Sequence, residues 1–92
     1  MSEAENQNYL ENVVNNSSVK LCKRLRSVER LQNETVLKSV VEQATDPSLR
    51  KKAILNSNMD SQEFLKGREE VEENQGVLRT LRFKLDKLEN HK

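Results

Sequence analysis

The sequence predicts an all-α fold, an elongated helical hairpin or coiled coil in which two long helices are joined by a short helix. Three observations predict it. The 92 residues contain only two Gly and one Pro, fewer than loops and flexible linkers usually hold. Apolar residues recur mostly three, four or seven positions apart, which is helical periodicity. Hydrophobic and charged residues each make up 34% of the chain, so we expect an apolar stripe along each helix and not a bulky core.

The first long helix is predicted over residues 19–45. No Gly or Pro interrupts residues 5–44, and the apolar residues from Leu21 to Val41 keep a helical spacing. The polar run "NNSS" at 15–18 weakens the helix before that point. Residues 1–18 are therefore predicted to be a polar, frayed segment, and a helix start near residue 5 is left open.

The short helix is predicted over residues 47–56. Asp46 suits the N-cap position, because its carboxylate accepts hydrogen bonds from the first backbone N–H groups. Pro47 suits the first helical position, where a missing N–H does no harm. The polar run "NSN" at 56–58 ends this helix.

The last helix is predicted over residues 60–90, as a coiled-coil helix. Asp60 and Glu63 have the spacing of a capping box, and Met59 and Phe64 have the spacing of a hydrophobic staple. A heptad repeat places apolar residues at its a and d positions from residue 64 to 88. Asn74 occupies a d position, where a polar residue either fixes the register of a coiled coil or faces water. A break at Gly76 is left open.

The sequence argues against an enzyme. It has no glycine-rich phosphate loop, no Cys/His ligand spacing and no nucleophile elbow, so no catalytic, cofactor-binding or metal-binding residue is predicted. Cys22 is the one cysteine, which excludes an internal disulfide and fits a reducing compartment. We find neither a signal peptide nor the roughly 20 apolar residues of a membrane span. We therefore expect a cytoplasmic or nuclear location.

The function predicted is that of a small structural or adaptor subunit in a multi-protein helical complex, most consistent with hetero-oligomerisation. A two-helix hairpin buries one stripe per helix, and its folding free energy comes out near zero, so it needs partner helices. A homodimeric coiled coil is the alternative assembly. The residues predicted to contact partners are the apolar stripe of the first helix and the heptad positions of the last: Leu21, Leu25, Val28, Leu37, Val41, Phe64, Val71, Asn74, Leu78, Leu81, Leu85 and Leu88.

A second hypothesis is a helical module that binds a polyanion (nucleic acid, a microtubule surface or anionic lipid) through basic blocks at 20–30 and 79–92. A hairpin would bring these two blocks together, and clustered cations attract polyanions. A net charge of +1 argues against it, and so does the scarcity of aromatic residues in the two blocks, where Phe83 stands alone. The predicted contacts are the basic residues Lys20, Lys23, Arg24, Arg26, Arg79, Arg82 and Lys84.

Overall fold

Six short helices follow one another along the chain. The computed structural model describes residues 3–90, with side chains from residue 6 onward. The helices are α1 (Glu3–Asn15), α2 (Leu21–Arg30), α3 (Glu34–Gln43), α4 (Pro47–Leu55), α5 (Gln62–Val71) and α6 (Gln75–Glu89). Residues 3–90 contain no strand, and the all-α prediction is confirmed. Residues 1–2 of the predicted N-terminal segment and residues 91–92 of the basic block at 79–92 lie outside the described residues.

The elongated arrangement of two long helices is not confirmed. The helices are 9 to 15 residues long, and they pack into a body of 36 × 28 × 17 Å. The chain turns at positions where the sequence pattern predicted continuous helix. Two of these turns, one in each predicted long helix, explain the difference.

The first predicted long helix is divided between α2 and α3 because Asn33 starts a new helix. Its side-chain Oδ1 accepts hydrogen bonds from the backbone N–H groups of Thr35 (2.9 Å) and Val36 (3.4 Å). Leu31 is extended and fully buried at the turn. An asparagine side chain competes with the helical backbone for these N–H groups, which favours a cap over a helix interior.

The predicted coiled-coil helix is divided in the same way between α5 and α6. Asn74 caps α6, because its Oδ1 accepts a hydrogen bond from Val77 N at 3.0 Å. The side chain of Glu72 accepts from Asn74 N at 3.0 Å, which stabilises the turn. Gly76 lies inside α6 and makes no break, and α5 is capped by Ser61, whose hydroxyl accepts from Phe64 N.

Residues 1–18 were predicted to be a frayed polar segment, whereas the structure has helix α1 there. Leu10, Val13 and Val14 are buried, so α1 contributes an apolar stripe to the core. It packs on α2, and this contact is what holds it in place.

The core is centred on α4, which packs against α2, α3 and α6. Leu49, Ala53 and Ile54 of α4 are completely buried. Around them lie buried residues from every other helix and from two of the turns, among them Leu10, Val28, Leu31, Leu37, Met59, Leu65 and Leu81. The stability argument made for a two-helix hairpin therefore does not apply, because six helices bury one shared core.

Asn56 joins three parts of this structure just after α4. Its side-chain Nδ2 donates to the carbonyl oxygens of Val28 and Leu31, both at 2.9 Å, at the end of α2. Its own carbonyl oxygen accepts from Met59 N and from the Lys84 ammonium of α6, also at 2.9 Å each. Asn56 and Lys84 are both buried. We call this group the Asn56 junction.

Candidate protein-binding groove

A surface groove of about 420 Å³ lies between α1 and α2. Its lining residues are Tyr9 and Leu10 from α1 and Cys22, Lys23, Arg26, Ser27 and Arg30 from α2. Leu10 is buried and forms an apolar floor, whereas Tyr9 is 49% exposed. We refer to this feature as the α1–α2 groove.

The two helices that form the groove run antiparallel and are tied together at both ends. Near one end, the Gln7 side-chain oxygen accepts from Gln32 N at 2.7 Å. Near the other, Arg24 Nε donates to the carbonyl oxygen of Val14 at 3.0 Å. The Val14 carbonyl oxygen is one of the acceptors that a helix leaves unpaired at its C-terminal end, and Gln32 N belongs to the turn that follows α2. The walls of the groove are therefore fixed by hydrogen bonds as well as by packing.

Lys23, Arg26 and Arg30 form a basic edge along the groove. They are spaced three and four residues apart, which places them on one side of α2. The ion pairs found among the described side chains are Arg50–Glu72, Lys52–Glu29, Lys66–Glu89 and Arg82–Glu69, so none involves the basic edge. Among the described residues, the groove lining contains no carboxylate. Among the described side chains, these three cations therefore have no carboxylate paired with them.

A second charged surface is neutralised within the chain. Arg50 of α4 donates to Glu72 at 3.2 Å and to the Ala44 carbonyl oxygen at 3.2 Å. The Glu72 side chain is only 5% exposed. Arg50 Nε, Glu72 Oε1 and the nearby Arg68 Nε are buried without a hydrogen-bond partner in the described part of the chain. Because opposite charges meet here, this cluster joins α4 to the α5–α6 turn. A shallow surface depression of about 460 Å³ lies over it, lined mainly by charged and polar residues.

Most of the residues predicted to contact partner helices lie in the chain's own core. Val28, Leu37, Val41, Leu78, Leu81 and Leu85 are buried, and Leu25, Phe64, Asn74 and Leu88 are half-buried. Leu21 at 38% and Val71 at 61% remain exposed. The heptad spacing therefore correctly marked one face of α6, but the structure covers that face with α4 and α5.

The residues predicted to contact a polyanion are divided by the fold. Lys20, Lys23 and Arg26 are exposed on or next to α2, and Arg79 is exposed on α6. Arg82 pairs with Glu69, and Arg24 is half-buried against α1. The two basic blocks do not form the joined end that a hairpin predicts, because α2 packs on α1 and α4 whereas α6 packs on α4 and α5.

Lys84 was predicted to contact a polyanion, but the structure places it inside the protein. Its ammonium is held by the carbonyl oxygen of Asn56. Burial lowers the pKa of Lys84 below its ordinary value, an effect that the charge of Asp60 opposes and that of Lys87 reinforces. A lysine in this position cannot reach a ligand at the surface, so this assignment is corrected.

Of the seven groove residues, only Lys23 and Arg26 were among the predicted contacts, and Tyr9 is the aromatic residue that was missed. No aromatic residue stands among the basic residues of α2 in the sequence, but the antiparallel packing of α1 on α2 brings Tyr9 into the same groove as the basic edge. The signal available in the sequence was the apolar spacing of Leu10, Val13 and Val14, which marks α1 as an amphipathic helix.

Comparisons of the chain with protein-family models, with curated proteins and with solved structures each return no match. Within residues 3–90, no helix has both the length and the hydrophobicity that crossing a bilayer requires. The same residues contain no group of three or more His, Cys, Asp or Glu side chains placed to hold a metal ion. Any function must therefore be inferred from the surface of the molecule itself.

Proposed function

We propose that this protein is a small, non-catalytic structural or adaptor subunit that binds a helical segment of another subunit in a hetero-oligomeric complex. The observation that supports this most is the α1–α2 groove, which combines an apolar floor with an exposed aromatic side chain. Helix-in-groove binding uses surfaces of this kind. Tyrosine is also among the residues enriched at protein interfaces, because it has an apolar body and a polar tip.

Leu21 at the start of α2 is also exposed and is next in sequence to the groove residue Cys22, although it does not line the groove itself. Among the side chains that the structure describes, it is one of five large apolar ones that remain at least 38% exposed, together with Tyr9, Leu55, Val71 and Phe83. Single exposed apolar residues are common on monomeric proteins. Tyr9 and Leu21 differ from the other three in lying on the two helices that form the groove. A cytoplasmic or nuclear location is part of the proposal, and the single free Cys22 favours it.

Affinity purification with paired variants tests this function. The tagged chain carries Tyr9→Ser with Leu21→Ser in one variant, and Leu55→Ser with Phe83→Ser in a control that removes equally exposed side chains elsewhere. The proposal predicts that the groove variant loses the companion present in stoichiometric amount and that the control keeps it. Circular dichroism verifies that both variants are folded. Retention of the companion by the groove variant would contradict the proposal.

Polyanion binding is the second candidate, and the presence of Tyr9 beside the basic edge favours it. An aromatic face next to cations is the arrangement on which single-stranded nucleic acid bases stack. The two candidates differ in their response to salt. Polyanion binding releases counterions, so its affinity falls steeply and log-linearly as salt is raised. A protein partner held by apolar contacts and a few exposed ion pairs loses much less affinity over the same range.

A further inference from the structure

We infer that the occupant of the α1–α2 groove is an acidic amphipathic helix of a partner protein, with carboxylates spaced to meet Lys23, Arg26 and Arg30. This inference rests on the proposed function and adds the chemistry of the partner to it. It follows from the charge of the groove and from its shape. The rest of the molecule also makes nucleic acid and a second copy of the chain less suitable occupants.

The charge pattern of the groove has the period of a helix. Lys23 and Arg30 are two turns apart on α2, about 10.5 Å along the axis at 1.5 Å per residue. A partner helix lying along α2 presents side chains at the same intervals when its Glu or Asp residues are spaced three and four apart. Each cation of the basic edge then faces one carboxylate. Since no carboxylate lines the groove among the described residues, these charges are available to a partner.

The shape of the groove supports a helix that lies across it and inserts a few side chains. Its volume of about 420 Å³ is within the range of about 300–1,000 Å³ that holds a small ligand, and is too small to enclose a helix. Leu10 provides the apolar floor, and Tyr9 and Cys22 line the sides. Apolar side chains from the partner would fill this space while its acidic residues remain at the basic edge.

Nucleic acid is a less suitable occupant than an acidic helix. The chain has a net charge of +1 and a pI near 7.9, whereas nucleic-acid-binding domains commonly have a pI above about 9. Tyr9 is the only aromatic residue in the groove. The second basic block does not extend the basic edge, because Lys84 is buried and Arg82 is paired with Glu69.

A second copy of this chain is also a less suitable occupant. Six of the fifteen acidic residues lie within residues 60–73, and a contact between this segment of one copy and α2 of another would be head-to-tail. Such contacts produce open chains of molecules unless the rotation closes them into a ring. The partner is therefore expected to be a different protein.

The chain carries two natural reporters of the groove. Tyr9 is its only tyrosine, it has no tryptophan, and Cys22 is its only cysteine. Tyrosine fluorescence and the reaction rate of the free thiol with a disulfide reagent therefore both report on the groove. The probe is a capped helical peptide of about 16 residues with leucines on one face and three glutamates spaced three and four apart, without Tyr, Trp or Cys. The control peptide has glutamine in place of each glutamate.

The acidic peptide is expected to change Tyr9 fluorescence saturably and to slow the reaction of Cys22. Arg26→Glu with Arg30→Glu should weaken its binding by at least about tenfold, because two ion pairs are replaced by repulsion. Arg79→Glu with Lys66→Glu makes the same change of charge away from the groove and should leave the affinity within about twofold. Protein concentration, ionic strength and peptide helicity are kept the same in all arms.

Four results would overturn the inference. They are equal binding of the glutamine peptide, tighter binding of a single-stranded oligonucleotide of the same charge, a groove response caused by self-association of the chain alone, and no response to the acidic peptide. Purification of tagged variants separates this failure from failure of the proposed function. If Arg26→Glu with Arg30→Glu keeps a companion that Tyr9→Ser with Leu21→Ser loses, the acidic-helix inference fails and the protein-binding function stands.

Discussion

Replacement of Asn56 by alanine should destabilise the protein more than any other single change to a polar side chain at its turns. The side-chain amide donates two hydrogen bonds of 2.9 Å, to the Val28 and Leu31 carbonyl oxygens, and a longer one of 3.4 Å to the Glu29 carbonyl oxygen. The two short bonds are buried, and a typical buried hydrogen bond contributes about 1 kcal/mol net. The expected loss in the free energy of unfolding is therefore about 2 kcal/mol. For a domain of this size that corresponds to a fall in Tm of about 8–16 °C.

Two further variants test whether the donor role of Asn56 causes this loss. Asn58→Ala is the comparison, since Asn58 is exposed and its amide donates at 3.3 Å to the Leu31 carbonyl oxygen and at 3.1 Å to Asn56 Oδ1. It should cost about 0.5 kcal/mol, as is usual for a surface substitution. Asn56→Asp has nearly the same shape but places an acceptor against carbonyl oxygens at the negative end of α2. It should be at least about 1 kcal/mol worse than alanine.

The assay is urea unfolding followed by far-ultraviolet circular dichroism, with a common slope fitted to all variants. The predicted order of stability is wild type, Asn58→Ala, Asn56→Ala and then Asn56→Asp. The reasoning would be refuted if Asn56→Ala were no less stable than Asn58→Ala. It would also be refuted if Asn56→Asp were more stable than Asn56→Ala, because the amide would then not act as a donor.

Three other predictions follow from the packing. Lys84→Met should be as stable as the wild type or more stable by up to about 1 kcal/mol in the free energy of unfolding at pH 7. The reason is that the Asn56 carbonyl oxygen keeps its hydrogen bond from Met59 N. The native pKa of Lys84 is lowered from 10.5, so the unfolded chain binds more protons than the folded one just below pH 10.5. The free energy of unfolding of the wild type should therefore rise relative to that of the variant as pH increases through that window. Urea unfolding at each pH measures this difference. Gly67→Ala should raise the unfolding free energy by about 0.5–1 kcal/mol, since an added Cβ meets nothing within 4 Å. Gly76→Ala should raise it less, because its Cβ would displace the Lys51 ammonium. Equal increases for the two variants in calorimetry would contradict this. The Glu34 carboxylate accepts hydrogen bonds from Asp60 N and Ser61 N at 3.1 Å each. Glu34→Ala should therefore lower the unfolding free energy by about 1–2 kcal/mol, and Glu34→Gln should lower it less. An unchanged urea midpoint for the alanine variant would contradict a stabilising role for Glu34.

The all-α class was predictable because helical periodicity is a local property of the sequence. Leu37 and Val41, or Leu78, Leu81 and Leu85, have the spacing of a buried helical face whatever packs on them. All five are buried. The spacing does not predict which helix packs on that face. For α6, helices α4 and α5 of the same chain cover it.

The lengths of the helices were not predictable from periodicity alone, because two asparagines decide them. Asn33 and Asn74 each cap a new helix with a side-chain oxygen. The apolar spacing continues across both turns, so a heptad reading treats Asn74 as a core position. Asparagine can hydrogen-bond its own neighbouring backbone, and this tendency was the local signal for the two breaks.

The candidate site was only half predictable. Lys23 and Arg26 were recognised from the basic block on α2. The contribution of Tyr9 depends on an antiparallel contact between residues that are more than ten positions apart in the chain. A contact of that kind is set by tertiary packing, and the polar run at 15–18 concealed the amphipathic stripe of α1.

The central claim is that six short helices complete one core within a single chain and leave the α1–α2 groove for a partner. Thermal unfolding of the isolated protein at several concentrations, with sedimentation equilibrium under the same conditions, tests it most directly. The account predicts a monomer of 10.7 kDa and a single cooperative transition whose midpoint does not change with concentration. A dimer mass, or a midpoint that rises with protein concentration, would show that a second chain completes the core and would contradict the account.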